Sequence, residues 1–111
     1  MARYGAYPVA KAGVAAMMRN LALELAPHGV TANAISPGPV ATDRVAYVIK
    51  RMAEYGGVSE EEARRRYLDP IPLGRMGSVD EIAALVGFLA GPRAGWITGQ
   101  ELFPNGGWVM P

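Results

Sequence analysis

An α/β fold is predicted for this chain of 111 residues. Three observations point to it: a long apolar helix-like run near the start, a short apolar strand closed by a Pro-Gly-Pro turn, and two Ser-initiated capping patterns that open helices before a final strand candidate. The first element is expected to be a helix over residues 7–26. Pro8 is tolerated because the first turn has no intrahelical partner for the missing N–H, and Gly29 offers a left-handed stop. Between Val9 and Ala26 the only non-apolar residues besides Gly13 are Lys11, Arg19, Asn20 and Glu24. A helix so apolar around its circumference is expected to be buried on more than one side, with Ala12, Gly13 and Ala16 permitting close approach.

Residues 30–36 read as a short buried strand ended by Pro37-Gly38-Pro39. Asp43 is positioned to cap a helix running to Gly56-Gly57, with the stripe Val45, Val48, Ile49 and Met52. Ser59-Glu-Glu-Glu62 is a capping-box pattern opening a short charged helix, acidic first and basic last, which complements a helix dipole. Ser78-Val-Asp-Glu81 is a second box. It opens a stronger helix with Ile82, Leu85, Val86 and Leu89 on one face and Gly91-Pro92 as its stop. Residues 100–103 form the last strand candidate. No repeat, low-complexity tract or long linker divides the chain.

Composition narrows the function classes. Half of the residues are hydrophobic, 19% are charged and the net charge is +1, a balance that argues against an electrostatic nucleic-acid or membrane partner. There is no cysteine, so disulfides and thiolate chemistry are excluded and a reducing compartment is compatible. No stretch reaches the length of a membrane span and the N-terminus lacks a signal-peptide core, so a cytoplasmic protein is expected. His28, the only histidine, reads as a helix-end residue, and no metal site is expected. Trp96 and Trp108 read as core or interface residues rather than a stacking platform.

Chemistry is concentrated in Tyr7 and Lys11. At i and i+4 they share a helix face, so the ammonium can sit beside the phenol oxygen. A neighbouring positive charge favours the phenolate and suits the phenol to proton exchange with a carbonyl or alcohol oxygen. Taken alone, the pair also fits a surface helix start. Likewise, Pro37-Gly38-Pro39 alone fits a turn, and Thr42-Asp43 a helix cap.

Order along the chain adds to that reading. Tyr7-Pro-Val-Ala-Lys11-Ala-Gly13, Val30-Thr-Ala-Asn33-Ala-Ile-Ser-Pro37-Gly38-Pro-Val-Ala-Thr42, Ile71-Pro-Leu-Gly-Arg75-Met-Gly77, Ile97-Thr-Gly99-Gln and Asn105-Gly106-Gly107 follow one another. Together they closely resemble the C-terminal half of the short-chain dehydrogenase/reductase family, from about Tyr4 to Val109. The resemblance implies the C-terminal half of a Rossmann-type doubly wound parallel sheet: first helix, two neighbouring parallel strands, lid helices over residues 43–72, and a crossover helix. Residues 1–111 would then be one partial domain.

By the same resemblance Tyr7 is the catalytic acid or base, and Lys11 assists it and binds the nicotinamide ribose. Pro37, Gly38, Val40 and Thr42 would contact the nicotinamide end of NAD or NADP. The substrate would be a small-molecule carbonyl/alcohol pair. Ala10 stands where the family usually has Ser or Thr, and Asn105 where it commonly has Asp. Asn105-Gly106-Gly107 is expected to end the last strand structurally, and Arg75 to hold the loop before the Ser78 helix. The family's glycine-rich turn and its catalytic serine, which precedes the tyrosine, have no counterpart here; Ser36, Ser59 and Ser78 lie downstream and cannot be carried over. The isolated chain is therefore expected to be inactive, and to be either a homo-oligomer or completed by a missing N-terminal half. The alternative is a non-catalytic remnant or oligomerisation module of the same family.

Overall fold

The computed structural model describes residues 5–109; Tyr4, where the resemblance begins, lies outside them. The described chain forms two compact units: residues 5–36 with Val86–Leu102, and Pro37–Leu85 with residues 103–109. Four helices and two short strands follow in the order α1 (Ala6–Leu25), β1 (Ala34–Ile35), α2 (Asp43–Gly56), α3 (Glu60–Leu68), α4 (Val79–Ala90) and β2 (Glu101–Leu102), with single 3-10 turns at Ala26–His28 and Pro92–Ala94.

In the first unit α1 runs within one residue of its expected span. It ends as anticipated at Gly29, whose φ of 70° is left-handed. The Gly29 and Val30 amides donate to the Ala26 and Leu25 carbonyls, the paired bonds of a Schellman stop. Only Ala15, Met18 and Ala22 are buried on α1, a narrow stripe at i, i+3 and i+7. The sheet is two-stranded and parallel, as the resemblance implied, with Ala34 opposite Glu101 and Ile35 opposite Leu102.

Both strands are shorter than residues 30–36 and 100–103 led us to expect. Upstream of the paired residues one backbone bond remains, the Gly99 amide donating to the Ala32 carbonyl at 2.7 Å, and side chains make the other links. Asn33 Nδ2 donates to the Ile97 carbonyl at 2.8 Å, its Oδ1 accepts the Gln100 amide, and Thr98 Oγ1 accepts the Ala32 amide. These bonds explain the Asn33 and Ile97-Thr98 motifs as structural brackets. Glu101 accepts from Ser36 Oγ at 2.9 Å and from Arg19 at 3.1 Å, tying α1 and the residue after β1 to β2.

The second unit holds an apolar cluster built from Ile49, Ala53 and Ala63, with Val45, Val58, Tyr67 and Met76 packed against it. Gly57, at φ 61°, stops α2, and the Val58 amide closes on the Ala53 carbonyl so that Val58 folds back into the cluster. On α3, Ser59 Oγ accepts the Glu62 amide. The return bond expected of a capping box is replaced: Glu62 instead holds Arg65 and Arg66 at 2.7 Å each, which keeps its carboxyl below the usual range, Arg66 being the larger cause. The α4 stripe also differs from expectation, since Val86 remains exposed while Ile82, Leu85 and Leu89 are half-buried.

Candidate active site

Tyr7 and Lys11 lie in the first turns of α1, where Pro8 fits because no intrahelical bond is lost. Lys11 Nζ is 5.7 Å from the Tyr7 ring centroid, so the two side chains occupy one helix face as their spacing demands. Tyr7 is 62% exposed. Among the described residues Lys11 makes no salt bridge. It lines a cleft of about 380 Å³ with Val14, Arg19, Ile35, Ser36 and Glu101.

Pro37, Gly38, Val40 and Thr42 belong to the second unit and form the turn leading into α2. Gly38 is packed against the last loop: a Cβ there would sit 2.7 Å from Asn105 Cβ, and the Gly38 amide donates to the Pro104 carbonyl. A parallel bridge joins Val40 to Gly77, with the Gly77 amide donating to the Pro39 carbonyl at 3.0 Å and the Ala41 amide to the Gly77 carbonyl at 2.9 Å. Neither bond uses the amide or carbonyl of Val40, which face away from Gly77 as alternate groups of a parallel pairing do. Thr42 occupies the N-cap of α2 but does not cap it; its hydroxyl turns back to the Val40 carbonyl at 3.3 Å.

Each downstream serine has a structural partner. Ser36 donates to Glu101, Ser59 caps α3 and Ser78 caps α4. Asn105-Gly106-Gly107 is structural as expected: Asn105 Oδ1 accepts the Gly107 amide, its Nδ2 donates to the Val109 carbonyl, and both glycines have positive φ. Arg75 does hold the loop before α4. Its guanidinium makes a bidentate pair with Glu81 at 3.0 and 2.7 Å and donates to the Met76 carbonyl. Glu81 in turn accepts the Ser78 amide at 2.7 Å, while Ser78 Oγ accepts the Glu81 amide, a complete reciprocal box. Arg75 foremost, and then the Ser78 amide, pull the Glu81 carboxyl down to about 2. Among the described residues no three potential metal-ligating side chains converge, and no helix is long and apolar enough to cross a membrane.

A family profile described as enoyl-(acyl carrier protein) reductase matches residues 1–109. The chain belongs to the short-chain dehydrogenase/reductase family. It is 40% identical over 107 residues to the 2,3-dihydroxy-2,3-dihydro-p-cumate dehydrogenase of Pseudomonas putida, covering 96% of this chain and 38% of that protein. It is 41% identical over 101 residues to the 3-oxoacyl-[acyl-carrier-protein] reductase FabG of Aquifex aeolicus, covering 91% and 36%. Among solved structures, a short-chain dehydrogenase family protein of Francisella tularensis superposes with a TM-score of 0.87 at 35% identity, over 93% of this chain and 43% of its own. An actinorhodin polyketide ketoreductase variant determined with NADPH gives 0.87 at 37% identity, over 97% and 41%.

The fold is therefore a partial α/β Rossmann domain, and the chain spans less than half the length of these relatives. What sequence reading missed at the site is the pairing of Gly77 with residues 39 and 41. Its one signal was a glycine placed just after the Leu73-Gly-Arg75 motif, with nothing to name the strand end that it meets.

Proposed function

We propose that this chain supplies the proton-transfer residues and the nicotinamide-side turn of an NAD- or NADP-dependent oxidoreductase acting on a small-molecule carbonyl/alcohol pair. The observation that carries the reading is the Tyr7–Lys11 pair on one face of α1, within a chain of this family. Family relatives include an NADPH-dependent reductase of Bacillus subtilis, 38% identical over 89 residues, and the ketoreductase determined with NADPH. Each unit lends separate support to a nicotinamide role: among the described residues Lys11 makes no salt bridge, Val40 keeps its amide and carbonyl clear of Gly77, and Thr42 is not spent on capping its helix. When bound, the cofactor supplies or receives the hydride.

The rest of the chemistry falls to the chain's own side chains. The Tyr7 hydroxyl gives its proton to the carbonyl oxygen as the carbon is reduced, or takes the alcohol proton in the reverse direction. The Lys11 ammonium stabilises the phenolate that results and hydrogen-bonds the ribose hydroxyls. Val40 presents its backbone to the carboxamide, with Pro37 and Gly38 shaping the approach and Thr42 hydrogen-bonding beside it. The α2–α3 pair, within residues 43–72, forms the substrate lid. A cytoplasmic location, a homo-oligomer or a complementary polypeptide, and pyrophosphate and adenosine sites lying outside these 111 residues belong to the same reading.

The test has two parts. In the catalytically competent protein containing this chain, Tyr7→Phe abolishes carbonyl reduction while cofactor affinity stays nearly intact; retained turnover removes the assignment. Calorimetric titration of the isolated 111-residue chain with NADH or NADPH shows no saturable micromolar binding. Submicromolar affinity would mean that the cofactor site is misplaced. A second reading, a non-catalytic oligomerisation module, draws support from the apolar surface of α1 and from Trp96, which is 99% exposed. A competent protein with intact Tyr7 that lacks any nicotinamide-dependent turnover would favour that reading.

A further inference from the structure

We propose that Arg75 and Glu81 are positioning residues for the cofactor-facing turn at residues 37–42, acting through Gly77. The inference rests on the oxidoreductase reading for what the turn contacts, but the mechanical link stands on geometry within one compact unit. Glu81 is the hub. Both of its oxygens are held by the Arg75 fork, Oε2 also accepts the Ser78 amide, and the Glu81 amide returns to Ser78 Oγ. Arg75 closes the ring by donating to the Met76 carbonyl. Residues 75–78 are thereby wrapped around one carboxylate at the start of α4, which leaves Gly77 little freedom.

Gly77 transmits that constraint. Its amide and carbonyl bond residues on either side of Val40, so its place sets the plane of both peptide groups of Val40. Those are the groups left facing away from Gly77. Thr42, whose hydroxyl is bonded to the Val40 carbonyl, follows the same frame. An exposed ion pair alone contributes little, yet this one is bidentate, charge-assisted and part of a closed network, the circumstances in which such a pair does fix geometry. Backbone on the far side of the turn is held independently, because the Gly38 amide bonds the Pro104 carbonyl and Asn105 fills the space where a Gly38 side chain would stand. The Arg75–Glu81 lock is thus specific to the Val40 end.

Amide hydrogen exchange on the 111-residue chain reads the lock directly. Arg75→Ala and Glu81→Gln each accelerate exchange at Gly77 and Ala41 on the order of tenfold, the loss expected for charge-assisted hydrogen bonds to a network. The Val58 amide, in the α2 stop, stays protected and shows that the variants fold. Arg75→Lys keeps the charge without the fork and restores only part of the protection. Unchanged exchange at Gly77 and Ala41 in both Arg75→Ala and Glu81→Gln overturns the lock. In the competent protein Glu81→Gln raises the KM for the nicotinamide cofactor several-fold and leaves that for the carbonyl substrate within about twofold. Faster exchange with an unchanged cofactor KM overturns the positioning role while leaving the oxidoreductase reading intact. If wild-type protein shows no cofactor-dependent turnover, the oxidoreductase reading and with it the positioning role fall, and the exchange data report only the lock.

Discussion

The first helix and the α2–α3 pair are built on opposite plans. α1 is long and apolar nearly all round, buries only Ala15, Met18 and Ala22, and leaves Val9, Val14, Met17 and Leu23 each more than half exposed. The pair is short and strongly two-faced. It sinks Ile49, Ala53 and Ala63 into a shared cluster, caps α3 with Ser59, stops α2 at Gly57 and sends its charges outward as Glu62–Arg65–Arg66 and Arg51–Glu54 ion pairs. An amphipathic hairpin carries its own complement, whereas an all-round apolar helix specifies a surface that something else must cover. This chain spans 34–38% of the length of the relatives compared.

Substitutions that exchange the two plans break or sharpen the contrast. The largest effect is expected at Ile49→Ala, which empties the centre of the α2–α3 cluster and costs about 2–4 kcal/mol in denaturant unfolding. A cost no greater than that of a surface change would deny the pair its own core. Next comes Gly38→Ala, whose methyl meets Asn105 at 2.7 Å; relieving that overlap costs about 1–3 kcal/mol, read as a fall in thermal midpoint with the Gly38 and Trp108 amides deprotected. On α1, Val14→Ser and Leu23→Ser change the stability of the isolated chain by less than about 0.5 kcal/mol. They weaken its self-association, measured by sedimentation over a range of concentrations. A wild-type chain that sediments as a compact monomer throughout would contradict the view of α1 as a surface awaiting a partner.

The smallest effect is a pH dependence at the start of α4. The Glu81 carboxyl lies at about 2, against an ordinary value of 4.5. A carboxyl lowered on folding contributes stabilisation that is complete above the ordinary value and is lost as pH falls through the folded one. Exchange protection at Gly77, corrected for intrinsic rates, should hold from about pH 7 to about 5 and decline between about 4.5 and 2. Protection that falls between about pH 7 and 5 would assign the linkage to another group.

The contrast also marks what was legible in the sequence. Helix ends were, because Gly29 and Gly57 satisfy a local requirement for left-handed backbone that needs no distant partner. The Tyr7–Lys11 face was legible for the same reason, being fixed by helical spacing. Strand lengths were not: whether residues 30–33 join a ladder depends on chain far away, and here Asn33 and Thr98 side chains share that role with a single Gly99-to-Ala32 backbone bond. The two Ser-x-x-Glu patterns look alike, yet only Glu81 returns to its serine, since Arg65 and Arg66 stand one helical turn beyond Glu62 and claim it. The close contact of Gly38 with Asn105, 67 positions later in the chain, was not legible, because no local pattern names so distant a neighbour.

The assignment of Tyr7 is tested most directly by label transfer. Reduced nicotinamide cofactor carrying deuterium at its transferable position is mixed with a carbonyl substrate and the catalytically competent protein, as wild type and as Tyr7→Phe, and the alcohol is analysed by mass. The wild type should place deuterium on the former carbonyl carbon, and Tyr7→Phe should slow that transfer on the order of 10²–10⁴-fold with cofactor binding unchanged. Equal transfer by the two proteins, or none by a wild type that binds cofactor and substrate, would contradict the account.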